Sequence, residues 1–268
     1  MVDFQCKKRY SYEDLLHIMA LLRSPGGCPW DREQTHASLR RNFLEESCEV
    51  VEAIDRGDSA GLCEELGDAL LQVVFHAQLE TEQGGFTMED VVDGICKKLV
   101  YRHPHVFGSE HVESSTEELD RWETLKRAEK GQQSAADAVD AVARTLPALW
   151  RAEKIQSKAA KAGFDWPSGD GAIQKLEEEA GELRRALADP SCSPDGPHGV
   201  REEAGDVLFI AAKIAADHGI DPEEALHAAC DKFARRFRFV EGNAPAPLDQ
   251  LPEADKLSLW KRAKQSES

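Results

Sequence analysis

KLEEEAGELRRAL (Lys175 to Leu187), followed after a loop by REEAGDVLFIAAKIA (Arg201 to Ala215), is the stretch from which the rest of the chain can be read. Its first segment holds Glu179 and Glu182, its second Glu203 and Asp206. Both segments space their apolar residues as helices do, and residues three apart on a helix share a face. Each pair of acids therefore projects to one side, and packing the two helices together brings four carboxylates to one place. A near copy stands earlier: FLEESCEVVEAI (Phe43 to Ile54) and CEELGDALLQVVFHA (Cys63 to Ala77), with Glu46, Glu49, Glu65 and Asp68 at the matching positions. Carboxylates so crowded repel one another strongly unless a hard cation such as Mg²⁺, or Mn²⁺ in its place, sits among them.

The surrounding chain repeats too. Helical patterns run over Tyr12–Leu22, Leu39–Arg56, Leu62–Glu82, from Thr87 to about Arg102, and over Ser115–Lys130, the last containing Trp122. SPGGCPWD and RHPHVFGSEHVESS separate them as loops, by their Pro, Gly and Ser content. A small, polar stretch from Gly131 to Ala143 reads as a linker. The series then recurs: Ala148–Lys161, the loop GFDWPSGDG, Ala172–Ala188, the loop DPSCSPDGPHG, Val200–His218, a helix from Asp221 to about Val240, and Asp255–Lys264. Lys98 and Arg102 answer Lys232 and Arg236, and Trp122-x-x-x-Lys126 answers Trp260-x-x-x-Lys264. The loop between the acidic helices is five residues longer in the second copy. Strand patterning is scarce, so the expected fold is all-α: two tandem bundles of about four helices each. Their expected limits are residues 10–130 and 146–265, joined by a linker over 131–145.

Composition narrows the function. With 41% hydrophobic and 31% charged residues the chain suits a soluble protein rich in helix surface. A formal charge of −17 repels nucleic acid and anionic lipid, so neither is an expected partner. A nucleotide remains compatible, because a bound cation reverses the local sign. Seven cysteines, with no C-x-x-C among them, imply reduced thiols rather than a disulfide framework or a zinc site. No signal-peptide core and no membrane-spanning apolar run is present, so the chain is expected in the cytoplasm.

Mg²⁺ is usually held by a few carboxylates together with substrate phosphates. Lys232 and Arg236, one turn apart, suit phosphate oxygens beyond such a metal, and Lys175 lies one turn before Glu179 on the same face. Each has a plainer reading: the basic pair as a solvated helix face, and Trp166, Trp260 and Trp30 as packing residues rather than platforms for a base.

Together, GCPWD, FLEESCE, EELGD, KLVYRHPHVF, GFDW, KLEEEAGE, EEAGD and KFARRF resemble the MazG family of nucleoside triphosphate pyrophosphohydrolases, over about residues 12–265. The acidic motif is shared with dUTPase-like and dCTPase-like relatives, whereas GCPWD and RHPHVF are more specific. The resemblance implies Mg²⁺-dependent hydrolysis of NTPs and dNTPs to monophosphate and pyrophosphate, broad base tolerance, a homodimer of helical bundles, and catalysis in the C-terminal copy. Carried over by position, Glu179, Glu182, Glu203 and Asp206 correspond to the metal ligands. Lys175, Lys232 and Arg236 correspond to the phosphate contacts, and Trp260 to a residue near the nucleoside. This chain departs from many relatives in having Lys213 where they have Asn, on the same side of the helix as Asp206; a cation there is expected either to bind substrate phosphate or to weaken metal affinity. The first copy has Asn42 and Phe75 at the places of Lys175 and Lys213. A non-catalytic nucleotide-binding or dimerisation module, and a narrower dUTPase-like or dCTPase-like enzyme, are the alternatives.

Overall fold

A computed structural model describes residues 4–109, 114, 121–122, 124–126, 128–129, 131, 133–166, 170–189 and 193–266. Every regular element among the described residues is helical. The chain divides into two compact units, Met1–Glu123 and Thr124–Ser268. No helix among the described residues is long and apolar enough to cross a membrane.

The first unit contains α1 (Tyr12–Arg23), α2 (Pro29–Glu33), α3 (His36–Arg56), α4 (Ser59–Glu82), α5 (Met88–Arg102) and α6 (Pro104–Phe107). Local chemistry sets the ends. The Ser11 hydroxyl accepts the Asp14 N–H while the Asp14 carboxylate accepts the Ser11 N–H, a reciprocal cap that starts α1. Thr35 and Ser38 do the same for α3, so that helix begins three residues before the apolar pattern at Leu39. At its other end Gly57 adopts φ 64°, a left-handed cap for which glycine is suited. Asp58 then accepts the N–H groups of Ala60 and Gly61 and starts α4 at Ser59 rather than Leu62. SPGGCPWD and RHPHVF, expected as loops, each contain a short helix opened by a proline, Pro29 and Pro104.

Helices α3 and α4, joined by only Gly57 and Asp58, pack as a hairpin, and α1 and α5 lie against α4. Met19, Leu39, Val74, Phe75 and Leu79 form the core, flanked by Leu15, Leu16, Leu71 and Met88. This cluster grips the later half of α4 and leaves its first turns, which carry Glu65 and Asp68, outside the core.

The second unit contains α7 (Ala135–Asp140), α8 (Ala148–Lys161), α9 (Gly171–Ala188), α10 (Val200–Asp217), α11 (Pro222–Gly242), a 3₁₀ turn (Leu248–Gln250) and α12 (Glu253–Gln265). Within the stretch expected as a linker, Ser134 and Asp137 form a reciprocal cap and Ala138 is buried, which is enough to set α7. Helices α9 and α10 pair as α3 and α4 do, with α8 along α10. Gln156 of α8 donates to the Phe209 carbonyl at 2.7 Å. The Trp150 indole N–H donates to Asp221, the cap of α11, at 2.8 Å. Val240, Leu259 and Ala263 join α11 to α12, with Phe239, Leu248, Leu251 and Trp260 against them. Of the helix expected over residues 115–130, positions 121–122, 124–126 and 128–129 are helical and the remainder lie outside the described residues, as do Cys192 and parts of three expected loops.

Met19 is 1% exposed, and Met19→Ala is expected to destabilise the first unit by ~2–5 kcal/mol in urea unfolding. Lys97→Ala, which removes a surface ion pair with Asp93, should leave the urea midpoint essentially where it is.

Candidate functional site

In the second unit α9 presents Glu179 and Glu182, and α10 presents Glu203 from its first turn. One carboxylate oxygen from each lies within 4.8 Å of the others. Glu179 is 5% exposed and Glu203 3%, and the Glu179 Oε2 is buried with no hydrogen-bond partner. A buried carboxylate oxygen left unpaired is costly. Coordination to a divalent cation would satisfy it, and an all-oxygen donor set suits a hard ion. Asp206, one turn further along α10, is exposed as a residue, yet its carboxyl titrates above the usual carboxylate range, first through partial loss of hydration at the carboxylate and then because Glu179 and Glu202 are negative beside it. The residues present therefore fit a divalent metal centre.

The first unit repeats the arrangement with α3 and α4. Glu46, Glu49 and Glu65 each place an oxygen within 4.8 Å of the others, but none of the three is buried. Desolvation, then Asp68 and Glu49, push the Glu46 carboxyl upward. Desolvation and then Glu49 and Glu64 do the same to Glu65.

The two centres differ in their cations. Lys175 lies 2.7 Å from Glu179 and 3.2 Å from Glu178, and its bond to Glu179 is the main cause of its raised pKa. The Arg185 guanidinium lies 2.9 Å from Glu182. His198 Nδ1 lies 3.5 Å from Glu203. In the first unit Asn42 stands at the position of Lys175 and Glu52 at that of Arg185, so its acids gain another acid where the second unit gains bases. Arg185 and His198 were not among the residues expected at the site. Arg185 could have been found from its place three residues after Glu182. His198 sits in an irregular loop that carries no periodic signal.

That loop closes one side of a cleft of about 530 Å³ lined by Glu182, Arg185, Asp189, Ser193, His198 and Glu203 among others. The His198 backbone is left-handed, at φ 56°, and its N–H donates to the Glu202 carboxylate at 2.7 Å. At Gly199 a Cβ would come 2.4 Å from the Ser193 carbonyl oxygen, so only glycine allows this close turn.

Lys232 and Arg236 lie on α11, which packs on α10. Lys232 is exposed and Arg236 half-buried. The Trp260 ring stands 5.2 Å from that of Phe233, the neighbour of Lys232. In the first unit the corresponding Arg102 is 8% exposed and its guanidinium lies 5.1 Å over the Trp122 ring. Trp166 is half-buried, and its N–H donates to the Asp165 carboxylate at 2.8 Å. Lys213, expected near the phosphates, instead directs its buried ammonium to Asp165, 3.1 Å away, and to Asp217. The His103 and His105 rings pack against each other, tilted, 5.7 Å apart.

Comparison with known proteins agrees with this geometry. The family model described as the MazG nucleotide pyrophosphohydrolase domain matches twice, over residues 34–107 and 168–240, so each match includes one complete set of four acids. The chain is 41% identical over 256 residues to the nucleoside triphosphate pyrophosphohydrolase/pyrophosphatase MazG of Thermotoga maritima, covering 94% of this chain and 95% of that protein. It is 42% identical over 261 residues to the nucleoside triphosphate pyrophosphohydrolase of Escherichia coli, covering 94% and 97%. An uncharacterised Bacillus subtilis protein, YabN, is 41% identical over 96% of this chain, which spans 52% of that longer relative. With two matching domains, two acidic centres and near full-length similarity, the chain belongs to the MazG family of nucleoside triphosphate pyrophosphohydrolases.

Proposed function

We propose that the C-terminal module, over residues 146–265, hydrolyses nucleoside and deoxynucleoside triphosphates to the monophosphate and pyrophosphate, with broad base tolerance, using Mg²⁺ held by Glu179, Glu182, Glu203 and Asp206. The observation that carries this reading is the buried, unpartnered oxygen of Glu179 beside Glu182 and Glu203. In the reaction a water oxygen bonds to the α-phosphorus as the bond to the α–β bridging oxygen breaks. Pyrophosphate leaves with that electron pair, and a carboxylate of the cluster takes the water proton. Bound Mg²⁺ supplies charge screening for the phosphates and a lower pKa for the attacking water. Lys175, Lys232 and Arg236 bind phosphate oxygens, and Trp166 and Trp260 flank the nucleoside.

The cations favour the C-terminal module. A triphosphate brings several negative charges, and Lys175 and Arg185 already stand against the C-terminal acids. The N-terminal set, Glu46, Glu49, Glu65 and Asp68, has Asn42 and Glu52 instead and is assigned metal binding without turnover. Leu44, Ile54 and Leu66 of the N-terminal hairpin are 52%, 57% and 52% exposed, and Leu187 and Leu208 of the C-terminal hairpin 67% and 55%. Apolar surface of that extent supports a homodimer that covers it, acting in the cytoplasm.

Glu203→Ala and Asp206→Ala should each lower pyrophosphate release from dNTPs by ~100-fold or more, equivalent to ~2.7 kcal/mol of barrier. ³¹P NMR of the products separates pyrophosphate from stepwise phosphate loss, and full activity in both variants would move the chemistry to Glu65 and Asp68.

The raised carboxyls of Asp206, Glu46 and Glu65 hold more protons in the folded chain than in the unfolded one. Without metal, stability therefore falls as pH rises from the ordinary carboxylate range through the raised values. Mg²⁺ requires the ionised form and opposes that loss. The rise in melting temperature on adding Mg²⁺ over EDTA is thus expected to be larger at pH 8 than at pH 5, and the stabilisation behind it to reach about 2.7 kcal/mol at 100 times Kd. Equal gains at both pH values would count against metal binding at these acids.

A further inference from the structure

We propose that Lys213 is a positioning residue for the nucleotide: its buried ammonium binds the Asp165 carboxylate, which also holds the Trp166 backbone, and the pair pins the Trp166 loop to α10. The inference rests on the reading of the C-terminal module as the triphosphate site.

Lys213 lies seven residues after Asp206, about two helical turns further along α10. Its side chain is only 7% exposed. A cation so buried must be paired, and two carboxylates pair it: Asp217, one turn on along the same helix, and Asp165, 3.1 Å away in the loop after α8. Asp165 Oδ1 accepts the Trp166 N–H at 2.8 Å as well as the Lys213 contact. An unbroken chain of charge-assisted bonds thus runs from α10 to the backbone of a tryptophan in the loop. Burial works against the charged form of Lys213, but the bonds to Asp217 and Asp165 outweigh it and hold the ammonium charged. An ammonium committed to two carboxylates could reach a phosphate only by leaving both acids unpaired. That separates its role from that of Lys175, which is more exposed.

The first module meets the same need with a different residue. Phe75 stands at the position of Lys213 and belongs to the core. Over its ring, at 5.4 Å, lies the Arg23 guanidinium, brought from the end of α1. Arg23 is also 7% exposed at its side chain, and it bonds Glu82 of α4 at 2.8 and 2.9 Å. It donates in addition to the Asp31 carbonyl and, at 3.4 Å, to the Gln34 carbonyl. Those carbonyls belong to the segment that follows Trp30, which precedes Glu46 by 16 residues as Trp166 precedes Glu179 by 13. In each module, then, a buried cation ties the tryptophan-bearing segment to the second acidic helix. One comes from α10 and the other from α1. Two unrelated side chains arriving at one task argue that holding this segment is what matters, rather than a lysine at that position.

A segment ordered in advance costs a ligand less to bind. Losing the tie should therefore appear in KM more than in kcat. The test compares Lys213→Met, Asp165→Asn, the double variant and Lys213→Arg with wild type. It measures KM and kcat for dNTPs by pyrophosphate release, and the rate of chymotryptic cleavage after Phe164. Lys213→Met and Asp165→Asn should each raise KM about fivefold with kcat within about twofold, and cleavage should quicken in both. The double variant should be no worse than Lys213→Met, since both changes cut one link, and Lys213→Arg should recover most of the loss. Asp165 is exposed, so Asp165→Asn keeps the test open if Lys213→Met fails to fold. Unchanged KM and cleavage in folded Asp165→Asn would overturn the inference. A fall in kcat at constant KM in Lys213→Met would also overturn it, by placing the ammonium at the reacting phosphates. Wild type that released no pyrophosphate would instead refute the pyrophosphohydrolase reading, and the cleavage rates would still decide whether Lys213 holds the loop.

Discussion

Carboxylates held together on paired helices are the constraint that organises both halves of this molecule. Glu179, Glu182 and Glu203, like Glu46, Glu49 and Glu65, are close enough to repel one another. The hairpins that carry them are therefore fastened elsewhere. In α4 the acids occupy the first turns, while Leu71, Val74, Phe75 and Leu79 anchor the later ones. In α10 Glu203 and Asp206 likewise precede the buried Ile210 and Ala212. Apolar burial at one end of a helix can thus offset electrostatic strain at the other. The strain is then available to a cation, whose binding relieves it.

The modules share that frame and diverge in how they balance it. Among the C-terminal acids Glu179 and Glu203 are buried, and Lys175, Arg185 and His198 answer the set. The N-terminal acids are more open to water, which screens them, and a further glutamate, Glu52, joins them. A centre enclosed and ringed by bases suits an anionic substrate. An open one made of acids alone suits a metal more than a nucleotide.

Reading the chain for helices succeeded where an apolar period persists over several turns, as in α3, α4, α9, α10 and α11. It failed for α2, α6 and α7, which have four to six residues each. Periodicity has no meaning over so short a span, and these elements follow from a proline in the first turn or from a reciprocal side-chain cap. The same limit explains Lys213. Helical spacing sets it on the same side of α10 as Asp206, but spacing cannot show what reaches it from a loop nearly fifty residues earlier in the chain.

Helical period, the duplicated acids and the family motifs therefore determined, from sequence alone, an all-α chain with two acidic centres and a pyrophosphohydrolase identity. Those features are local, and local spacing on a helix is set by backbone geometry. Tertiary structure decided which oxygen of Glu179 is left without a partner, which bases answer which acids, and that Lys213 serves Asp165 and Asp217. Each of these depends on the separation of groups distant in sequence and on the exclusion of water between them, and only packing sets both.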